Sequence, residues 1–296
     1  MKYLFLFTKK SIFFLTIFCF LAMQNDKPAY LIYDKEGKPS NYEDLLKAAQ
    51  TADVVFFGEQ HNNPICHWLQ LKLTKDLFKQ KGIDLVLAME MFETDDQLVL
   101  NEYLGGFIKE SNFEKEVKLW NNYKTDYRPV VEFAKQNKLS VVASNVPRRY
   151  ASVVAGGGLD ALKKLDKEAG SLIAPLPIKV DTTLASYQSM YKMMGGHGGA
   201  GMNTWNIVYA QAIKDATMGY KISENWKRAK LVLHLNGAFH SDKFEGILWY
   251  LNSYKPKLKI LTISSVEQED INSLRNESIN LANFIICIDA EMTKTY

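Results

Sequence analysis

Six short apolar runs, almost without polar alternation, limit what this 296-residue chain can fold into. They are DVVFF (53–57), DLVLAM (84–89), LSVVAS (139–144), KLVLHL (230–235), LKILTI (258–263) and NFIICI (283–288). Runs of this length, rich in Val, Ile, Leu and Phe, suit strands covered on both faces, which is the setting of a parallel sheet. The segments between them carry helical periodicity. Residues 64–80 open on Pro64 and repeat Leu69, Leu73 and Leu77 at one-turn spacing. Further helices are expected over 95–104, 127–137, 157–168, 181–194, 203–222 and 242–253. Alternating strand and helix predicts an α/β fold, a mainly parallel sheet flanked by helices.

The spacing breaks once. More than eighty residues separate the third run from the fourth, far more than one crossover needs. Residues of about 155–225 therefore read as a helical insertion or subdomain before the fourth strand. It is punctuated by GGG (156–158), PLP (175–177) and GGHGGAG (195–201).

The first residues belong to a different class of segment. Lys2, Lys9 and Lys10 precede the apolar run SIFFLTIFCFLAM (11–23), too short to span a bilayer comfortably and the right length for a signal-peptide core. Residues 1–24 are thus expected to be a signal peptide or anchor, and 25–296 the folded domain. That implies an exported protein, periplasmic or attached to a membrane through its N-terminus. Lipidation at Cys19 is poorly supported, because Phe18 stands where a lipoprotein signal wants a small residue. Cys66 and Cys287, the two remaining cysteines, are expected to be buried free thiols. A net charge of +3 is too weak a bias to indicate a nucleic-acid partner.

The polar motifs stand at the ends of the strands. Gly58-Glu59-Gln60-His61 follows the first run, Glu90 and Glu93 the second, Asn145, Arg148 and Arg149 the third, and Asn236, Gly237 and His240 the fourth. In open parallel sheets, ligands bind outside the carboxyl ends of the strands. Chance would scatter these residues over both edges, so Glu59, His61, Glu90, Asn145, Arg148 and His240 are expected to form one site, with His61 and His240 within reach of one small ligand. Two histidines and two carboxylates (His61, His240, Glu59, Glu90) suit a divalent metal such as Zn, Mn or Co. Without a metal, Glu59 and His61 are a general acid/base pair, and Arg148 can grip a carboxylate or phosphate. Glu93, one turn further on, reads as a helix cap, and His234, inside a strand, as buried structure. Gly196-x-Gly198-x-x-Gly201 matches a dinucleotide pattern but follows a helix, so the strand–turn–helix context is missing.

These motifs resemble a known family. VVFFGEQHNNP (54–64), AMEMFETDDQ (88–97), YRPVVEFAKQNKLSVVASNVPRR (127–149), QAIKDATM (211–218) and HLNGAFHSD (234–242) are similar, in content and order, to ChaN-like proteins of the wider TIKI/TraB/erythromycin-esterase-like superfamily. The resemblance covers roughly 45–265. It implies an exported haem-binding protein of haem or iron acquisition, with haems held face to face at a homodimer interface by Tyr and His. Haem needs an axial ligand and an apolar surface. YQSMYKMMGGHGGAGM (187–202) in the insertion offers Tyr187, Tyr191 and His197 as ligands, with Met193, Met194 and Met202 beside them. The relatives also imply an alternative, a divalent-metal-dependent hydrolase, either protease or esterase.

Overall fold

The protein is described by a computed structural model covering residues 27–194, 203–227 and 230–296. The expectations for the segment 1–24, Cys19, His197, Met202 and the Gly196–Gly201 pattern lie outside these residues.

The chain opens with a short antiparallel hairpin, β1 (Tyr30–Asp34) and β2 (Pro39–Ser40), followed by α1 (Tyr42–Gln50). The alternating core then runs β3 (Val54–Glu59), α2 (Pro64–Lys81), β4 (Leu85–Glu93), α3 (Gln97–Leu104), α4 (Glu110–Glu116), α5 (Arg128–Gln136) and β5 (Ser140–Asn145). The long helical connection comprises α6 (Arg148–Gly157), α7 (Lys167–Gly170), α8 (Ala185–Met193) and α9 (Thr204–Asn225). It leads into β6 (Leu231–Gly237), α10 (Ile247–Tyr254), β7 (Ile260–Gln268) and β8 (Phe284–Asp289).

All six apolar runs are strands of one eight-stranded sheet, ordered β2-β1-β8-β7-β3-β6-β4-β5. From β8 to β5 every neighbour is parallel, and the β1–β2 and β1–β8 pairings are antiparallel. Every residue of β3, β4 and β6 is buried, as lack of alternation requires. The pleat sends successive residues to opposite faces. Val55, Phe57, Leu87 and Met89 pack with Leu69, Leu73 and Leu77 of α2 and Val130 of α5. Val54, Phe56, Val86 and Ala88 pack with Met218 and Ile222 of α9 and with Ile247 and Leu251 of α10. Each such side chain contributes roughly 1.5–3 kcal/mol by leaving water.

The connection between β5 and β6 has its own core, including Tyr150, Val154, Ile173, Tyr187, Val208 and Ala212. Helix α9 belongs to both cores: its first half lines this cluster and its second half covers the sheet.

Three boundaries differ from the sequence reading. In place of one helix over 157–168, α6 runs from Arg148, directly after Pro147, and stops where Gly158 turns to φ +72°; a 3-10 turn over Leu159–Lys164 and the short α7 follow. The helix expected from 242 starts only at Ile247, because Lys243, Phe244 and Gly246 all take positive φ. The hairpin went unseen because its strands are short; its turn depends on the Asp34 carboxylate accepting the Glu36 and Lys38 amides, with Gly37 at φ +81°. Cys66 and Cys287 are free and buried as expected.

Candidate functional site

The strand order places β3, β6, β4 and β5 side by side, so their carboxyl ends form one continuous edge. A cleft of about 700 Å³ lies over that edge. Glu59, His61, Glu90, Glu93, Asn145, Arg148, Gly237 and His240 all line it. The convergence expected from the motifs is therefore present among the described residues.

Glu59 ends β3 and is buried. Its Oε1 accepts the Tyr127 hydroxyl at 2.6 Å and faces His61 Nδ1 at 2.9 Å, while its Oε2 accepts the Gln70 amide at 2.5 Å. A buried carboxylate is tolerated when donors surround it in this way. Its contact fixes the His61 tautomer: Nδ1–H donates to Glu59, and Nε2 carries the available lone pair. The His61 ring meets Trp120 edge-on at 4.8 Å and keeps 38% of its side chain exposed. Burial opposes charging this ring, but the hydrogen bond and charge of Glu59, with the charge of Glu90, prevail and raise its pKa.

Glu90 and His240 form a second, fully buried unit. Glu90 Oε2 accepts the Gly237 amide at 2.8 Å, and its Oε1 lies 3.2 Å from His240 Nε2. The other ring nitrogen of His240, Nδ1, is 2.5 Å from Asp215 Oδ1, and Asp215 Oδ2 accepts the Tyr187 hydroxyl at 2.6 Å. Burial works against both charges, yet their mutual attraction wins. Glu90 is held down at about 2, chiefly by the charge of His240, and His240 is raised to about 10 by Glu90 and Asp215. His240 is thus an imidazolium clamped between two carboxylates.

Three sequence expectations need correction. The metal set His61, His240, Glu59 and Glu90 shares the cleft without being gathered into a metal-holding cluster: among the described residues no group of three or more His, Cys, Asp or Glu side chains is placed to hold an ion. The reason is that both nitrogens of His240 face carboxylates, and both oxygens of Glu59 already accept protein donors. Tyr187 is not displayed to a ligand; it is 0% exposed and bonded to Asp215. Asn236, offered beside His240, turns away to Ser241, and its Oδ1 meets His234. His234 is buried structure, its pKa pushed down to about 4 by desolvation.

Arg148, 67% exposed, stands on the rim with its Nε 3.4 Å from Glu93. Glu93 completes a capping box with Asp96, as the cap reading expected. Tyr191 stacks on Trp205 at 4.5 Å, away from Tyr187's buried position.

Sequence reasoning missed Tyr127, Gln70, Trp120, Gln211 and Asp215. Asp215 left a signal, because it falls on the apolar stripe of α9 with Val208, Ala212 and Ile222, where a charge demands a buried partner. Gly246 supports the same corner. A Cβ there would lie 2.3 Å from the His240 carbonyl oxygen, and φ is +57°. Gly246→Ala is expected to destabilise the protein by at least about 1 kcal/mol, read by thermal unfolding.

Residues 45–251 match the family described as haem-binding uptake, Tiki superfamily, ChaN. No curated protein matches the sequence. Among solved structures, one reported as cofacial haem binding to ChaN of Campylobacter jejuni superposes with a TM-score of 0.65. It shares 19% identity over 87% of this chain and 96% of that one. A mutant of the erythromycin esterase EreC, in its open conformation, superposes with a TM-score of 0.50, at 11% identity over 90% of this chain and 98% of that one. At these identities the structural likenesses establish the fold.

Proposed function

The chain belongs to the ChaN family of haem-binding uptake proteins in the Tiki superfamily, and from that premise we propose that it binds haem on the helical connection between β5 and β6. The observation that carries this reading is an apolar ledge at the end of α8. Met193 and Met194 are 75% and 47% exposed there. Beside them Tyr191, Trp205 and Tyr209 form a row of stacked rings, at 4.5 and 6.2 Å. A macrocycle needs a flat apolar support and an axial donor, and these residues fit both needs. Tyr191 is the ligand we assign, with His197 as its partner. Bound haem would supply ferric iron for a tyrosinate to hold; the chain's part is to orient the ring and shield one face. One ledge covers only one face, so a second copy closing over the other is the natural complement, in keeping with the cofacial haems of the Campylobacter jejuni protein. With an exported N-terminal segment, the role is haem or iron acquisition.

Haemin titration of the purified protein tests this. The expected result is a high-spin, tyrosinate-type Soret spectrum. The double variant Tyr191→Phe/His197→Ala should change it and weaken binding more than about tenfold, roughly 1.4 kcal/mol. An unchanged spectrum in the double variant would move haem to the strand-end histidines, and no Soret change in the parent would remove haem altogether.

A second reading has its own observation. His61 holds Nδ1 on a buried carboxylate and keeps Nε2 for the cleft, which is the arrangement of a general base. Under this reading the strand-end cleft hydrolyses a small ester or amide, with Glu59 orienting His61 and the Glu90–His240 pair supplying fixed charge.

A further inference from the structure

The loop that carries His61 is tied down by residues more than two hundred positions away in sequence. Gln60 donates through Nε2 to the Ser265 carbonyl at 2.7 Å. Asn63 donates through Nδ2 to Glu267 Oε1, also at 2.7 Å, and Lys294 is ion-paired with that same oxygen. His67 Nε2 meets the His61 carbonyl at 3.0 Å, Asn62 Nδ2 reaches the Tyr296 carbonyl at 3.5 Å, and Thr295 makes two further ties. Its amide donates to the Asn62 carbonyl at 3.0 Å, and its hydroxyl to Asp126 Oδ2 at 2.8 Å. Asp126 Oδ2 also accepts Asn122 Nδ2 at 2.6 Å, and the second hydrogen of that amide reaches the His61 carbonyl at 2.8 Å. Thr295 therefore holds the Asn62 carbonyl directly and the His61 carbonyl through Asp126 and Asn122.

We propose that Thr295 is a positioning residue for His61, the centre of a strap over residues 294–296 that fixes the loop so the imidazole keeps Nδ1 on Glu59 and turns Nε2 to the cleft. The ring is more than one-third exposed; the edge of Trp120, the Glu59 oxygen and the Gly237 backbone beneath it are its contacts, and only Glu59 bonds it by a polar atom. Its aim is then set by the peptide groups on either side, and functional groups keep their geometry only when such supports are locked. The strap lies beyond residues 45–251, so the match to the family does not include it. The proposal rests on the hydrolytic reading only in giving His61 a chemical task; the geometry stands without it.

The test uses the full chain labelled with 15N-histidine. The sequence has five histidines, and His61→Ala assigns the signal. At a pH where the His61 ring is neutral, the parent should show the Nδ1–H tautomer that Glu59 imposes. Glu90 and His240 are the other charged groups facing that ring. Thr295→Val removes the hydroxyl tie, and Thr295→Pro removes the amide tie as well. Both should shift the His61 signals towards the ordinary tautomer mixture and speed amide exchange across 60–63, Pro more than Val. Thr295→Ser should restore the parent spectrum. Unchanged His61 signals and exchange in both Val and Pro variants would overturn the proposal. No substrate enters the measurement, so its outcome is separate from whether the cleft hydrolyses anything.

Discussion

Asp215→Ala is expected to lower the free energy of unfolding by about 3–5 kcal/mol near neutral pH, the range for breaking a buried ion pair from one side. Asp215 is 1% exposed and takes two donors, Tyr187 and His240. Its removal leaves a buried imidazolium with one carboxylate in place of two, and a phenol with no acceptor. The effect depends on pH, and its sign follows from the pair. The His240 pKa is raised from 6.5 to about 10, so its stabilisation is complete below 6.5 and fades as pH rises through about 10. The Glu90 pKa is lowered from 4.5 to about 2, so its stabilisation is present above 4.5 and is lost as pH falls through about 2. Both shifts describe the same contact and count once. The parent gains most between 4.5 and 6.5, and the Asp215→Ala deficit should shrink in alkali. Urea denaturation at about pH 6 and about pH 10 measures it. A deficit under about 1 kcal/mol, or one that grows with pH, would contradict the buried imidazolium.

The parallel sheet was legible because both of its faces are covered. A strand with no solvent face, such as Val54–Glu59, has no alternation to blur it, and its run ends where the polar motif begins. The same logic made the site readable, since GEQH and NGAFH follow strands that run the same way in one sheet. What failed depends on contacts across the fold. Tyr187 looked like a displayed ligand because it sits four residues before Tyr191 on α8, but that spacing says nothing about which side meets α9, where Asp215 waits for its hydroxyl. The metal set failed for a similar reason. Sequence counts donors, whereas the structure shows them already engaged by Tyr127, Gln70 and Asp215, none of which belongs to a strand-end motif. The Thr295 strap was invisible for the same cause: an unremarkable hydroxyl acquires its role from the loop it reaches.

Under the hydrolytic reading, His61→Ala is expected to reduce hydrolysis of p-nitrophenyl butyrate, an uncommitted acyl-ester probe, by about 10²–10⁴-fold, the usual contribution of a general base. The companion variant is more telling because it removes no chemical group. Gly237 lies directly under the His61 ring: a Cβ there would be 2.6 Å from Cε1 and 2.7 Å from Nε2. Its backbone, at φ −60° and ψ 138°, suits alanine, so the only conflict is with the imidazole. That ring is partly exposed and can swing into the cleft, but doing so gives up the 2.9 Å contact with Glu59. Gly237→Ala should therefore keep the fold by circular dichroism and lose activity nearly as far as His61→Ala. The pH profile carries the same signature. A base works when unprotonated, and the His61 pKa is raised, so the parent rate should climb with pH through a point above 6.5. With His61 released from Glu59 in Gly237→Ala, the remaining activity should lose that upward displacement. Full activity in Gly237→Ala, or a pH profile indifferent to it, would mean that His61 is not the base and that the cleft's polar edge serves binding alone.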